Sequence, residues 1–369
     1  MVNDTDVFIA GAGPAGLAAA ISAAAAGFSV EVADALLPPI NKACGEGLMP
    51  DSVAVLSRLG VTLADVESHC FRGIRFVGLN HRADALFPAA PGRGIRRTVL
   101  SELMVARAAS LGVRFRWQTT VRGLSGNEVL LSNGQLRTRW IIGADGHHST
   151  VRRLANLDAR NVRSRRIGLR QHFRVAPWSD MVEVYWGTHS QAYVTPVAKD
   201  EVCVAIISRQ RPGPYATELL EFPELCERLQ SAPPSDAVIG SATLDTQVTV
   251  VAHGNIALIG DSSGGVDALT GEGLALAFRQ AEALTESLRA GDLASYCHAH
   301  AAICRLPHFM STSMLLLDRS SVLRERALRA FSRRPEIFAS MLRIHIGEKM
   351  PPLWGREGIL NLGARVLLA

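Results

Sequence analysis

The sequence predicts an α/β fold with an antiparallel β-sheet inserted into it and a helical C-terminal region. Three observations predict it. An N-terminal strand, glycine turn, helix, second strand and acid run from Val7 to Asp34. Between Arg166 and Ser208 the pattern changes to consecutive alternating strands. From Gly273 onward the patterning is mostly helical, and no internal repeats occur.

The N-terminal stretch carries the most chemistry. Val7 to Ala10 is apolar and long enough for a buried parallel strand. Gly11-Ala12-Gly13-Pro14-Ala15-Gly16 follows, then an Ala-rich helix to Ala26, stopped by Gly27. Phe28 to Ala33 reads as the second strand. Gly11 permits a tight turn, Gly13 lets backbone approach a pyrophosphate, and Gly16 lets the helix pack on the strand. The helix start offers free N–H groups and a partial positive charge to phosphates. Asp34, 18 residues after Gly16, is placed to accept hydrogen bonds from a ribose. This is a Rossmann-type dinucleotide site.

Length and composition narrow the class. With 369 residues and 48% hydrophobic content, the chain can bury two domains. No apolar run matches a membrane span. The first apolar stretch contains the phosphate turn and lacks a basic leader, so it does not read as a signal peptide. Six scattered cysteines without a CxxC pair suit reduced thiols, which predicts a cytoplasmic location. The net charge of +5 is carried almost wholly by arginine, with lysine only at Lys42, Lys199 and Lys349. No basic tract is interleaved with aromatics, so no nucleic-acid partner is expected. Arg163, Arg165 and Arg166 are expected on a solvated face, with an anionic cofactor, substrate or carrier as the alternative.

In order along the chain, Leu36 to Pro39 is a loop. Lys42 to Pro50 holds two glycines around an acid, a loop able to lie flat on a planar ligand. Asp51 to Leu59 reads as a helix capped by Asp51. Gly73–Val77 and Ala85–Phe87 look like strands, Gly92–Gly94 a turn, and Thr98–Ser110 a helix. Strand patterns recur at 113–117, 121–124, 128–131 and 139–144, with a hairpin at Asn133-Gly134. The inserted sheet takes 167–175, 181–186, 192–197 and 201–207. Pro212 to Pro234 reads as one helix, Thr243 to Val251 as a β-rich run, and Ile256 to Ile259 as the last core strand.

Three further motifs carry a resemblance. Gly143-Ala144-Asp145-Gly146-His147-His148-Ser149-Thr150-Val151-Arg152 resembles a GADGxxSxVR signature. Ile259-Gly260-Asp261-Ser262-Ser263 resembles a GDAA signature, and Gly271-Glu272-Gly273 before a helix from Leu274 matches a TGEG segment. In this order they are similar to the para-hydroxybenzoate hydroxylase fold of the group A flavoprotein monooxygenase superfamily. The match covers about residues 1–290. Lys42-Ala43-Cys44-Gly45-Glu46-Gly47-Leu48 and Asp267 to Gly273 look like its geranylgeranyl reductase-like branch, except that Ala268 stands where that branch usually has proline. A less rigid turn is expected there.

The resemblance implies an FAD-binding, glutathione reductase-like Rossmann-type domain (1–70, 95–160 and 245–290). The β-sheet substrate domain would take 71–94 and 161–244, and a helical region 291–369. It assigns Gly11, Gly13, Pro14, Ala15 and Gly16 to the FAD pyrophosphate and Asp34 to the adenosine ribose. Arg97 would brace the phosphates and ribityl chain, with helix capping as the alternative. Asp145 would bind neighbouring backbone and shape a groove for the nicotinamide donor. Asp261, beside Gly260, would hold a ribityl hydroxyl. Gly271, Glu272, Gly273 and Leu274 would aim N–H groups at the flavin. Cys44 and Gly45 would face the isoalloxazine. Cys44 reads equally as a packed thiol or a substrate-pocket residue, and Glu46 as a residue that orients substrate or relays a proton.

The resemblance predicts an NAD(P)H-dependent monooxygenase of a hydrophobic or polyketide-like molecule, working through a flavin C4a-hydroperoxide. Reduction of C=C bonds in an isoprenoid or enone is the alternative, and a non-catalytic flavin-holding protein a third. Only one dinucleotide fingerprint is present, so NADPH or NADH would visit the flavin transiently. The WxWxIP motif of flavin halogenases is missing, as is any lysine between Lys42 and Lys199, which argues against halogenation.

Cys297, His300, Cys304 and His308 could line one helical face. A packed face rather than a metal site is expected, with Pro307 disturbing the helix. The apolar segments 310–317 and 337–369 could pack in the core, roof a greasy pocket, dimerise or touch a membrane surface. Core packing is favoured, and no pattern specifies an oligomeric state.

Overall fold

The computed structural model describes residues 3–158 and 160–347. The first sheet runs Ala252–His253, Ile256–Leu258, Gly134–Gly143, Thr5–Ala10, Val30–Ala33, Arg114–Arg116, with Glu128–Leu131 paired to Gly134–Gly143 and Val121–Ser125 paired in turn to Glu128–Leu131. Its centre is parallel: Val7 pairs with both Val30 and Trp140, and Ile142 with Ala257. Parallel strands covered on both faces need near-continuous apolar runs, and Val7, Phe8 and Ile9 are fully buried. The helices Pro14–Ala25, Arg97–Ser110 and Gly273–Ala290 contribute Leu17, Met104 and Phe278 to one core with this sheet.

The second sheet has eight strands in the order Gly264–Gly265, Ile239–Val248, Arg160–Arg174, Glu201–Ser208, Ser190–Ala198, Val182–Trp186, Gly73–Val77, Arg82–Leu86. All its pairs are antiparallel except Val182–Trp186 with Gly73–Val77. The helices Leu293–Arg319, Ser321–Arg333 and Pro335–His345 pack Met314, Leu328, Phe331 and Phe338 onto Phe76, Val184 and Trp186 of this sheet. The favoured core packing of the C-terminal region therefore holds for its described part. Residues 348–369 of that region lie outside the described residues. No described helix is long and apolar enough to cross a membrane.

Several local expectations are corrected. Gly92–Gly94 is not a turn but the middle strand of a three-stranded sheet between Gly47–Leu48 and His69–Phe71. Its glycines serve close packing: a Cβ on Gly94 would lie 1.8 Å from the Pro196 carbonyl oxygen. Met49, not Asp51, caps the helix Pro50–Arg58, and Asp51 sits in its first turn paired with Arg279. The segment after Pro212 forms two short helices, Tyr215–Leu219 and Pro223–Leu229, because the residue before a proline is kept from helical geometry. The helix Leu293–Arg319 passes unbroken through Pro307. Arg166 is not solvated: it is 2% exposed and bonded to Asp267 at 2.8 Å and Asp318 at 2.6 Å.

Candidate active site

A cavity of about 680 Å³ lies where residues of both large sheets meet. One end is built from the N-terminal fingerprint. Gly11 has φ +106°, and a Cβ there would strike the Ala144 carbonyl oxygen at 2.4 Å. A Cβ on Gly16 would come within 1.8 Å of the Gly11 oxygen, so the helix can approach the strand only with glycine. A Cβ on Gly13 would meet no protein atom within 4 Å, since this residue borders the cavity. Pro14 occupies the first helical turn, where its missing N–H costs nothing, and Ala15 also borders the cavity. Asp34 accepts the N–H of Ala12 at 2.7 Å and of Leu36 at 2.8 Å. It fastens the turn, and the residue borders the cavity.

Arg97 opens the helix Arg97–Ser110, and its own N–H donates to Glu46 Oε1 at 3.0 Å. Arg97 borders the cavity, and its guanidinium Nε is buried without a partner among the described residues. Such an orphan donor is costly unless a ligand satisfies it. Asp145 accepts from the Ser149 hydroxyl at 2.5 Å and from the N–H groups of Thr150 and Val151 at 2.7 and 3.1 Å. It binds neighbouring backbone, as the resemblance implies. Buried Arg152 joins the two signatures, donating to the carbonyls of His147 at 2.7 Å and Ser262 at 2.8 Å.

Asp261 lies on the cavity beside Gly260 and takes Lys42 Nζ and His147 Nε2, each at 3.2 Å. Burial pushes its pKa up, but Lys42 and His147 outweigh that, and the carboxyl is held below its usual range. His147 is itself pushed down by burial, against the pull of Asp261. The last segment has Gly271 at φ +68° and Glu272 just before the helix Gly273–Ala290, which continues through Leu274. A Cβ on Gly273 or Gly45 would meet no protein atom within 4 Å, and both border the cavity. The looser turn expected from Ala268 is fastened by Asp267, whose carboxylate accepts the Leu269 N–H at 3.1 Å and pairs with Arg166.

Cys44 is half-buried on the cavity wall, its Sγ accepting the Glu46 N–H at 3.4 Å. Glu46 is held at φ +56° and is almost fully buried, with His172 Nε2 2.6 Å from its Oε2. Reading the sequence had not singled out His172, Asp236, Arg170 or His345. Each stands alone in its segment without a motif, so no local signal marks it. Lys42 and His147 lie inside motifs of the sequence, yet only folding places them on Asp261. The Cys297–His308 face is packed: His300 Nε2 lies 3.0 Å from Ser263 Oγ, and Cys304 accepts from Gln280 at 3.5 Å.

Opposite the polar end, Phe71, Phe76, Leu269, Met314, Phe338 and Met341 give the cavity an apolar wall. The open glycine cradle, the unpaired Arg97 Nε and the charged Asp261 fit a long, phosphate-bearing planar cofactor. FAD would supply hydride chemistry there.

Comparison with known proteins agrees. Menaquinone reductase of Mycobacterium tuberculosis (strain H37Rv) is 28% identical, over 89% of this chain and 91% of that protein. Digeranylgeranylglycerophospholipid reductase 1 of Methanothermobacter thermautotrophicus is 26% identical over 74% of each. A flavoprotein/dehydrogenase from Cytophaga hutchinsonii shares the fold with a TM-score of 0.83, at 17% identity over 98% of each chain. The FAD binding domain family matches residues 4–291, and the chain belongs to that family of FAD-dependent oxidoreductases.

Proposed function

We propose that the protein uses FAD to saturate carbon–carbon double bonds in the prenyl chain of a lipid or quinone. The carrying observation is the apolar wall of Phe71, Phe76, Met314, Phe338 and Met341, continuous with the loops that would hold the flavin. Methionine and phenylalanine adapt to a flexible hydrocarbon and offer it no strong hydrogen-bond partner. Relatives named for menaquinone and digeranylgeranylglycerophospholipid reduction support this substrate class. NADPH or NADH, visiting transiently, would reduce the flavin. A prenyl substrate resides in a bilayer, and Phe309, Leu316 and Val322 stand exposed on the C-terminal helices for a peripheral contact with it.

Hydroxylation is the second reading, favoured by the Gly143–Arg152 and Ile259–Ser263 segments that resemble those of hydroxylases. One assay separates the two. Holoprotein is reduced by dithionite or NAD(P)H and given menaquinone or a geranylgeranyl lipid, under argon and under air. Under argon a prenyl chain that has gained two hydrogens is expected, a gain that persists after the quinone ring is reoxidised in air. Products formed only in air, carrying one more oxygen atom, would replace the reductase reading with the hydroxylase one.

A further inference from the structure

Glu46, His172 and Asp236 form a continuous hydrogen-bonded line running outward from the cavity wall. His172 Nε2 is 2.6 Å from Glu46 Oε2, and His172 Nδ1 is 2.8 Å from Asp236 Oδ2. The inner members are sealed, with Glu46 and His172 side chains 1% and 2% exposed. Asp236 is 22% exposed and meets solvent, while Glu46 borders the cavity. Imidazole can hold a proton on either nitrogen or both near neutral pH. A carboxylate on each side lets a proton arrive at one nitrogen and leave from the other.

The surrounding charges suit this traffic. Arg170 donates through Nη1 to Asp236 Oδ2 at 2.5 Å and through Nη2 to Asn41 Oδ1 at 2.6 Å; the same Nη1 lies 2.6 Å from His172 Nδ1, beside its contact with Asp236, and Nε lies 4.0 Å from Glu46 Oε1. Burial pushes Asp236 up, but the bonds from His172 and the nearby Arg170 hold it below its usual range. It is therefore a charged terminus that reaches solvent. Arg96 is neutralised by Glu201. Cys203 comes within 4.8 Å of Glu46 and His172, and burial holds its thiol protonated. The Arg170 guanidinium and the bond from His172 Nε2 to Glu46 disfavour a metal ion at this triplet.

We propose that Glu46, His172 and Asp236 conduct protons from solvent to the cavity and supply the proton that accompanies hydride transfer. This rests on the reductase reading above. Saturating one double bond adds a hydride from reduced flavin to one carbon and a proton to the other. Glu46 releases that proton toward the cavity, His172 replaces it through Nε2, and Asp236 restores His172 from water. The electrons come from a reduced nicotinamide dinucleotide or dithionite by way of the flavin. Glu46 is the delivering group, and His172 and Asp236 are positioning residues that act through it.

The test has two arms. In single turnover of holoenzyme reduced with one equivalent of dithionite and given menaquinone, His172→Gln and Asp236→Asn should slow saturation of the prenyl chain, read after reoxidation of the ring, about 100-fold. The solvent isotope effect should grow while flavin content stays unchanged. Imidazole or acetate should partly rescue Asp236→Asn. The second arm needs no substrate and no flavin: deuterium exchange at the His172 ring nitrogens, followed by nitrogen-15 NMR of the apoprotein. The ring should exchange far faster than core backbone amides, and Asp236→Asn should slow it at least tenfold. A ring that exchanges only on global unfolding, or variants with wild-type rate and isotope effect, would overturn the relay. If wild-type enzyme leaves menaquinone unchanged while the ring exchanges fast through Asp236, the substrate reading falls and the proton path stands.

Discussion

Glu272 Oε1 and His345 Nδ1 stand 3.7 Å apart, brought together from the start of one helix and the end of the last described one. Glu272 Oε2 and His345 Nδ1 are both buried without a hydrogen-bond partner among the described residues. Burial pushes Glu272 up to about 8, with Asp51 adding to the rise and Arg279 opposing it. Burial pushes His345 down to about 4. In this neutral state the acid keeps its proton and the imidazole stays uncharged.

The pair predicts a bounded pH window. Glu272 has a raised folded-state pKa, so its contribution is complete below its ordinary 4.5 and is lost as pH climbs through about 8. His345 has a depressed one, so its contribution is complete above its ordinary 6.5 and is lost as pH falls through about 4. Melting temperature should therefore fall between about pH 6.5 and about pH 9, and Glu272→Gln should flatten that fall. A Glu272→Gln protein with the wild-type slope would refute the assignment.

Arg166 is bonded to both Asp267 and Asp318, all of them 2% exposed or less. Arg166→Met leaves buried Asp267 without its cation and buried Asp318 with Arg209 alone, at 3.3 Å. Urea unfolding should show a loss of about 3–5 kcal/mol. Because Asp267 also caps the turn before Gly271, flavin retention should fall with it.

Two glycines of the fingerprint should behave oppositely. Gly16→Ala puts a Cβ 1.8 Å from the Gly11 oxygen and should destabilise the apoprotein itself by about 1–3 kcal/mol. Gly13→Ala meets no protein atom within 4 Å, and its backbone (φ −68°, ψ 175°) suits any residue. The apoprotein should stay within about 0.5 kcal/mol of wild type. FAD affinity, by fluorescence titration, should still fall at least tenfold, because the new methyl stands where the pyrophosphate must approach.

Arg97→Ala removes a buried Nε that has no partner among the described residues. Thermal stability of the apoprotein should hold or rise slightly. FAD binding should weaken by about 1.5–3 kcal/mol, the range for a hydrogen bond to a charged group, measured by titration. Equal FAD affinity in the variant would remove Arg97 from the cofactor site.

Much of the cofactor-binding half was legible from sequence, because its signals are local. A glycine at φ +106°, an apolar parallel strand and an acid at a strand end are properties of a few adjacent residues. They single out Gly11, Gly13, Gly16 and Asp34 as candidates before any folding is known. The arginine cluster and the Gly92–Gly94 segment misled, because composition alone cannot show a buried countercharge or a backbone pressed against Pro196.

By itself the sequence determined the α/β class, the dinucleotide turn, the inserted sheet and the motifs marking the flavin family. Tertiary structure alone decided the pairings between remote segments: Lys42 with Asp261, Glu46 with His172, Arg166 with Asp318, Glu272 with His345. Charge, burial and proton position depend on what lies within a few ångströms, and for these residues the nearest partners are 73 to 219 positions away in the chain.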